Sequence, residues 1–185
     1  MAASSHVETD AADDEASLLV LSQSPITVFD TIAPDLTITT SDGTEFRVHK
    51  SFLCIRSPVL RGMIVAERSA QNPVSLAEES GVIEPLLRFC YPVDDPVFDD
   101  LRKLWSVRQA ASKYEMGDID ARLSRQVRKY LSREPLLVYA LACRDGRQTE
   151  AREAARFSLR QPALLDYVPE LEEITGGAMH QLSQY

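Results

Sequence analysis

The sequence predicts an α+β fold, in which a short N-terminal β-hairpin and a third strand pack on a mainly helical body. Three observations carry this prediction. Apolar residues alternate with polar ones over residues 36–48, their spacing becomes helical from Lys50 onward, and four amphipathic helix patterns follow one another between residues 98 and 160. The strands are too few and too local for a doubly wound nucleotide-binding sheet.

The hairpin is the clearest element. Leu36 and Ile38 alternate with threonines, residues 41–43 (SDG) supply a turn, and Phe46 and Val48 alternate with charged residues. An Asp-Gly pair between two alternating apolar runs is a strong hairpin signal, because the turn needs residues that tolerate positive φ. One face of the hairpin is therefore expected to be buried.

The chain changes to helical spacing at Lys50. A short helix is crowded with apolar residues, namely Phe52, Leu53, Cys54 and Ile55. Ser57 is suited to cap a second helix and Pro58 to occupy its first turn. The Ser-Pro pair therefore separates two helices, and a phosphorylation site at Ser57 is the alternative.

The rest of the chain is predicted to be mainly helical. A loop over residues 64–73, a short strand over 73–76 and a helix over 81–92 lead to an acidic turn, where Asp99 or Asp100 can cap the next helix. Further helices are expected over residues 98–116, ended by Gly117, and over 118–132, 134–145, 149–160 and part of 163–175.

Charge and composition divide the chain into four segments. We expect a disordered acidic tail over residues 1–33, a compact domain over 34–132, a helical extension over 133–175 and a flexible C-terminus over 176–185. Residues 1–35 hold seven acidic residues and no Lys or Arg, which leaves 21 of the 28 acidic residues against all 20 basic ones in the body. A near-neutral body argues against direct binding of nucleic acid, which needs a basic footprint.

Cysteine usage and hydropathy favour an intracellular protein, cytoplasmic or nuclear. The three cysteines show no CxxC or CxxH spacing, so a zinc site is not predicted, and an odd number of thiols beside apolar residues is typical of a reducing compartment. No apolar run reaches the roughly 18–20 residues that span a bilayer. No membrane contact, cofactor or small-molecule substrate is expected.

His49 beside Lys50 and Ser51 raises the question of catalysis. With Asp42, a Ser-His-Asp arrangement can be written, and a small hydrolase is therefore an alternative function. No G-x-S-x-G elbow, Gly-rich loop or phosphate-binding motif supports it. His49 ends a strand with an apolar inner face, which favours a structural histidine.

Two stripes of basic residues follow helical spacing in the second half of the chain. Arg122, Arg125, Arg128 and Lys129 form one, and Arg152, Arg156 and Arg160 the other. Such stripes are usually the solvated faces of amphipathic helices. The alternative is contact with an acidic partner or with the acidic tail.

The order of these pieces resembles the BTB/POZ domain family over residues 34–160. "DLTITTSDGTEFRVHKSFLCIRSPVLRGM" is similar to its opening, "PVSLAEESGVIEPLLRFCYP" to its third strand and following helix, and "LWSVRQAASKYEMGDIDARLSRQVRKYL" to its closing helix pair. "EPLLVYALACRDGRQTEAREAARFSL" resembles a BACK-type extension. The fold-signature residues are Phe46, His49, Lys50, Leu53, Ser57, Pro58 and Met63. The Tyr-Pro and Lys-Tyr-x-Met details resemble stand-alone BTB proteins of mushroom-forming fungi.

The resemblance implies a non-enzymatic protein-interaction module. Members of the family self-associate, adapt substrates to cullin-type ubiquitin ligases or act in transcriptional regulation. In the adaptors, a hydrophobic-x-Glu motif in the loop after the Ser-Pro helix contacts the cullin, and Val65, Ala66 and Glu67 match it here. The residues that the resemblance predicts to bind a partner, a cullin or a second copy of the chain, are Met63, Val65, Glu67 and Arg68.

Three departures from the family pattern also carry expectations. Val59 and Leu60 stand in place of the usual aromatic pair after the Ser-Pro. "YPVDDPV" replaces a Tyr-x-Gly hairpin, so a fourth strand is not expected. No N-terminal helix for a swapped dimer is evident in residues 1–34.

Overall fold

The computed structural model describes Phe29 and residues 33–66, 73–159 and 168–184, and it confirms the α+β fold. The sheet is small and has the strand order β2-β1-β3. Its strands are β1 (Leu36–Thr39), β2 (Glu45–Val48) and β3 (Val74–Ser75).

The predicted alternation sets the register of the sheet. β1 and β2 are antiparallel, with Leu36 opposite Val48 and Ile38 opposite Phe46, and all four side chains are buried. β3 runs parallel to β1 and places buried Val74 beside Ile38. One apolar face of the sheet therefore closes over the helical body, as period-two patterns require.

The helical body begins directly after β2 and includes most of the described residues. Its α-helices are α1 (Lys50–Arg56), α2 (Pro58–Ala66), α3 (Ser80–Cys90), α4 (Leu101–Lys113), α5 (Gly117–Val127), α6 (Pro135–Arg144), α7 (Gln148–Ser158) and α8 (Gly176–Ser183). Two 3₁₀ turns cover Arg128–Tyr130 and Pro169–Glu173. The apolar core is continuous from the sheet through α1–α5 to the α6–α7 pair.

The end of α4 differs from the prediction that Gly117 stops it. The helix ends in a Schellman motif, in which the Met116 amide donates to the Ala111 carbonyl and the Glu115 amide to that of Ser112. Glu115 takes the left-handed position at φ 55°, and Gly117 instead begins α5. The same motif after α6 uses Gly146, at φ 69°, in the left-handed position.

Glu115→Gly is expected to stabilise the protein by about 0.5–1 kcal/mol. The variant removes the energetic cost of holding a side chain at positive φ, and this gain exceeds the additional conformational entropy that glycine loses on folding. Glu115→Ala keeps a Cβ atom at this position and is the matched control, with no gain expected. Urea denaturation of the three proteins measures the difference. A glycine variant no more stable than the alanine variant would show that Glu115 carries no backbone strain.

Two further differences concern the predicted disordered and flexible ends of the chain. Helix α8 occupies the predicted flexible C-terminus (176–185), because Thr175 caps it and the Tyr139 hydroxyl donates to the Ala178 carbonyl at 2.5 Å. Phe29, within the predicted disordered tail, is buried against the rings of Phe46 and Tyr91. Residues 1–28, 30–32, 67–72, 160–167 and 185 lie outside the described residues, and with them most of the predicted tail and of the predicted loop over 64–73.

Candidate functional site

The predicted partner-binding residues surround the end of α2. Val65 is 72% exposed, whereas Met63 is half-buried and packs against the core. Glu67 and Arg68 lie outside the described residues. The structure thus describes the hydrophobic residue of the predicted hydrophobic-x-Glu motif, Val65, and places it in solvent at the last turn of a helix.

Helix α2 is anchored on one side and exposed on the other. Leu60 is buried, and Val59, Met63 and Ile64 pack partly against the core. The exposed residues, which we call the α2 surface, are Pro58, Arg61, Gly62, Val65 and Ala66. Arg61 is the one charged residue of α2. A surface with few charges and an exposed branched apolar side chain is typical of the centre of a protein interface.

Ile55 is an exposed apolar residue in the short helix that the sequence shows to be crowded with apolar side chains. It lies on α1 and is 76% exposed, whereas Leu53, two positions earlier, is fully buried. Residues two apart on a helix face different directions, so both cannot point to the core. This spacing is the signal that could have identified Ile55 as a surface residue.

Ser57 fixes the direction in which α2 leaves the domain. Its side chain is fully buried, its Oγ accepts the Leu60 amide at 2.9 Å, and its hydroxyl donates to the Tyr114 carbonyl at 2.6 Å. The first contact is the predicted N-cap. The second ties the start of α2 to the end of α4. The hydroxyl therefore both donates and accepts a hydrogen bond in the interior, where a kinase cannot reach it.

His49 belongs to an aromatic cluster at the start of α1. The Tyr91 hydroxyl lies 2.9 Å from the His49 amide, which donates to it, and 3.0 Å from Nδ1 of the ring. The rings of Phe52 and Tyr91 pack edge-on against the imidazole. These contacts hold β2, α1 and the end of α3 together, which is the structural role favoured from the sequence.

Asp42, the acid of the alternative catalytic arrangement, also has a structural role. Its carboxylate accepts bonds from the amide (3.1 Å) and hydroxyl (2.5 Å) of Ser80 and from the Thr40 hydroxyl. These bonds, that of the Ser80 side chain first, lower the pKa of Asp42. Asp42 thereby joins the hairpin turn to the first residue of α3, on contacts separate from those of His49.

A buried ionic cluster joins α4 and α5 to the C-terminal extension. Arg108 is 1% exposed, and its guanidinium contacts Asp120 Oδ1 at 3.1 Å and Ser124 Oγ and Glu150 Oε1 at 2.5 Å. Arg147 adds two further bonds to Asp120. Burial opposes the charged form of Asp120, but the Arg147 hydrogen bond and the Arg108 charge outweigh it, so the pKa lies below its usual value.

Trp105 strengthens the same junction. Its ring lies 5.1 Å from the Arg108 guanidinium, a cation–π distance, and its indole N–H donates to Asp145 Oδ2 at 2.7 Å. Asp145 lies between α6 and α7 and also accepts from the side chain of Gln109. The extension is therefore packed on α4 through polar contacts as well as through the shared core.

Two open grooves lined by described residues are mixed in polarity. One, of about 1020 Å³, lies beside α4 and is lined by Glu78, Lys113, Asp120 and Arg147 among others. The other, of about 720 Å³, lies between α6 and α8. Among the described residues, no group of His, Cys, Asp and Glu is arranged to hold a metal ion. Burial raises the pKa of the Cys90 thiol to about 12, so this thiol is unreactive.

No helix in the described parts of the chain has the length and apolar character needed to cross a membrane.

Comparison with known proteins gives one family match. The model of the BTB/POZ domain matches residues 29–131, more than half of the chain. Among solved structures, the chain is similar to the BTB (Tramtrack and Bric a brac) domain of human gigaxonin, with 19% identity and a TM-score of 0.45 over 67% of this chain and 98% of that one. A comparison with curated proteins finds no match.

Proposed function

Because the chain belongs to the BTB/POZ domain family, we propose that it acts as a protein-interaction adaptor whose partner binds the α2 surface. BTB domains are modules that bind protein partners and self-associate. The observation that carries the proposal is the exposure of Val65 at the last turn of an otherwise anchored helix. Desolvation of one such side chain contributes about 1.5–3 kcal/mol, enough to make it a significant contact in an interface.

The partner proposed is the N-terminal domain of a cullin, so that the chain recruits substrates to a ubiquitin ligase. Val65, Ala66 and Glu67 match the motif with which family adaptors contact cullins. The fixed start of α2 supports this assignment, since Ser57 and Leu60 leave the end of the helix little freedom to reorient. A preformed contact helix reduces the entropy lost on binding.

A pull-down with a cullin N-terminal domain tests the proposal. The wild-type chain is expected to bind. Both Val65→Asp and Glu67→Arg are expected to lose most of the binding, because the first puts a charge into an apolar contact and the second reverses the charge of an acidic side chain. Val97→Asp is the matched control, since Val97 is 80% exposed in the loop before α4. Failure of the wild-type chain to bind any cullin tested would refute the adaptor role.

Self-association is the alternative outcome that the family suggests. Light scattering on the same preparations gives the oligomeric state, and the pull-down gives cullin binding. The two measurements together separate the two functions, because an adaptor binds the cullin in whichever oligomeric state it adopts. A chain that forms dimers or larger assemblies and retains no cullin is instead a self-associating scaffold.

A further inference from the structure

Exposed cations lie on α5, on the 3₁₀ turn after it and on α7, which that turn contacts. We call this set of cations the basic surface, and its members are Arg125, Arg128, Lys129, Arg152 and Arg156. Arg128 Nη2 lies 3.4 Å from Glu153 Oε1, which joins the turn to α7. Earlier in both helices, Arg108 bonds both Ser124 and Glu150. These two ionic links join α7 to α5 and to the turn after it, so the exposed cations of both elements lie on neighbouring surfaces.

The basic surface has few acidic neighbours to neutralise it. Residues 121–133 carry five cations and no acidic residue. On α7, Glu150 binds the buried Arg108 and Glu153 faces Arg128. In the ranges that the structure describes, no ion pair neutralises the other members, Arg125, Lys129, Arg152 and Arg156.

The acidic N-terminal segment of the same chain has the complementary charge. Residues 8–15 hold Glu8, Asp10, Asp13, Asp14 and Glu15, and no Lys or Arg occurs before Arg47. We propose that residues 8–15 dock on the basic surface of their own chain. This proposal is independent of the cullin proposal, since it involves neither α2 nor Glu67 and Arg68.

The connecting chain is long enough for this contact. Phe29, buried against Phe46 and Tyr91, lies 14 positions after Glu15. A chain of that length extends up to about 45–50 Å, which exceeds the roughly 40 Å diameter of a domain of this size. Tethering also gives the segment an effective concentration of order millimolar, an advantage over an acidic segment of another protein. The docked segment would cover the basic surface and compete with other polyanions.

Carbodiimide cross-linking of the full chain tests the contact, because it couples carboxylates to lysine amines that touch them. The chain has four lysines, of which Lys129 belongs to the basic surface. We expect cross-links from residues 8–15 to Lys129, located by mass spectrometry. Lys113, 2.5 Å from Glu78, is the positive control for the chemistry. Lys103, exposed on α4, is the negative control.

Salt and charge reversal provide two independent checks. Raising the salt to 1 M shortens the screening length from about 8 Å to about 3 Å, so the Lys129 cross-links should be lost while that of Lys113 to Glu78 remains. Arg152→Glu with Arg156→Glu should greatly reduce the Lys129 cross-links. A charge reversal at exposed Arg47, on β2, should leave them unchanged.

Three results would overturn the proposal. One is equal yield at Lys103 and Lys129, and another is a Lys129 yield that does not respond to salt. The third is cross-linked peptides that join chains of different isotope labelling in a mixture, since the contact would then be between molecules. If the double variant loses the Lys113–Glu78 cross-link through misfolding, the salt series on the wild-type chain still decides.

Discussion

Arg108→Leu is expected to lower the free energy of unfolding by about 3–5 kcal/mol, the cost of removing one partner of a largely buried ion pair, in which Arg108 is 1% and Glu150 19% exposed. Glu150 loses the guanidinium that approaches it at 2.5 Å, and Trp105 loses the cation over its ring. Asp120 keeps its bonds from Arg147. The cluster joins α4 and α5 to α7. Arg108→Leu should therefore also reduce the cooperativity with which the BTB domain and the C-terminal extension unfold, as measured by urea denaturation.

Arg102→Leu is the matched control for this variant. Arg102 lies on the same helix and pairs with Glu170 through two bonds, but its side chain is 54% exposed, so the loss should be under about 1 kcal/mol. Arg108→Leu with Glu150→Leu should recover part of the stability, because no charge is then left unpaired. If Arg108→Leu destabilises no more than Arg102→Leu, the buried cluster does not stabilise the junction.

The cluster also predicts an acid-side loss of stability that Arg108→Leu should diminish. The pKa of Asp120 is lower in the folded state than in the unfolded chain, where it is about 3.9. The ionised group therefore contributes stability that is fully present above about pH 4 and is lost as the pH falls through the folded pKa.

Ser57→Ala is the second large effect, with an expected loss of about 2–3 kcal/mol. The N-cap of α2 contributes about 1 kcal/mol of this, and the rest is the cost of leaving the buried Tyr114 carbonyl without its donor. Ser51→Ala, exposed on α1, should change the stability by less than about 0.5 kcal/mol and is the control. Urea denaturation of both variants tests this prediction. Equal free energies of unfolding for the two variants would mean that Ser57 does not fix the position of α2.

The sequence could predict the elements whose signals are local. The hairpin follows from alternation around one turn, and the start of α2 from Ser57 and Pro58, because these preferences act over two to four residues. The Ser57 bond to Tyr114 and the Arg108 cluster join residues 12 to 57 positions apart, and no period in the sequence reports them. From the sequence alone, Arg108 cannot be told from a solvent-exposed arginine, because its burial depends on how α5 and α7 pack against α4.

The surroundings of the candidate site were not predictable from the sequence. The resemblance placed Val65 in the loop after the Ser-Pro helix, whereas the structure extends that helix to Ala66 and exposes Val65 in its last turn. The exposure of Ile55 and the burial of Phe29 depend on which side of a short element faces the core, and short apolar runs leave that undecided.

Hydrogen–deuterium exchange of the chain with and without a cullin N-terminal domain tests the central claim most directly, because it reports both binding and its location. Slower exchange of the amides in α2, at residues 59–66, with unchanged exchange in α6 and α7, is the predicted result. Protection confined to α6, α7 or α8, or no change anywhere at saturating cullin, would contradict the claim that α2 presents this chain to its partner.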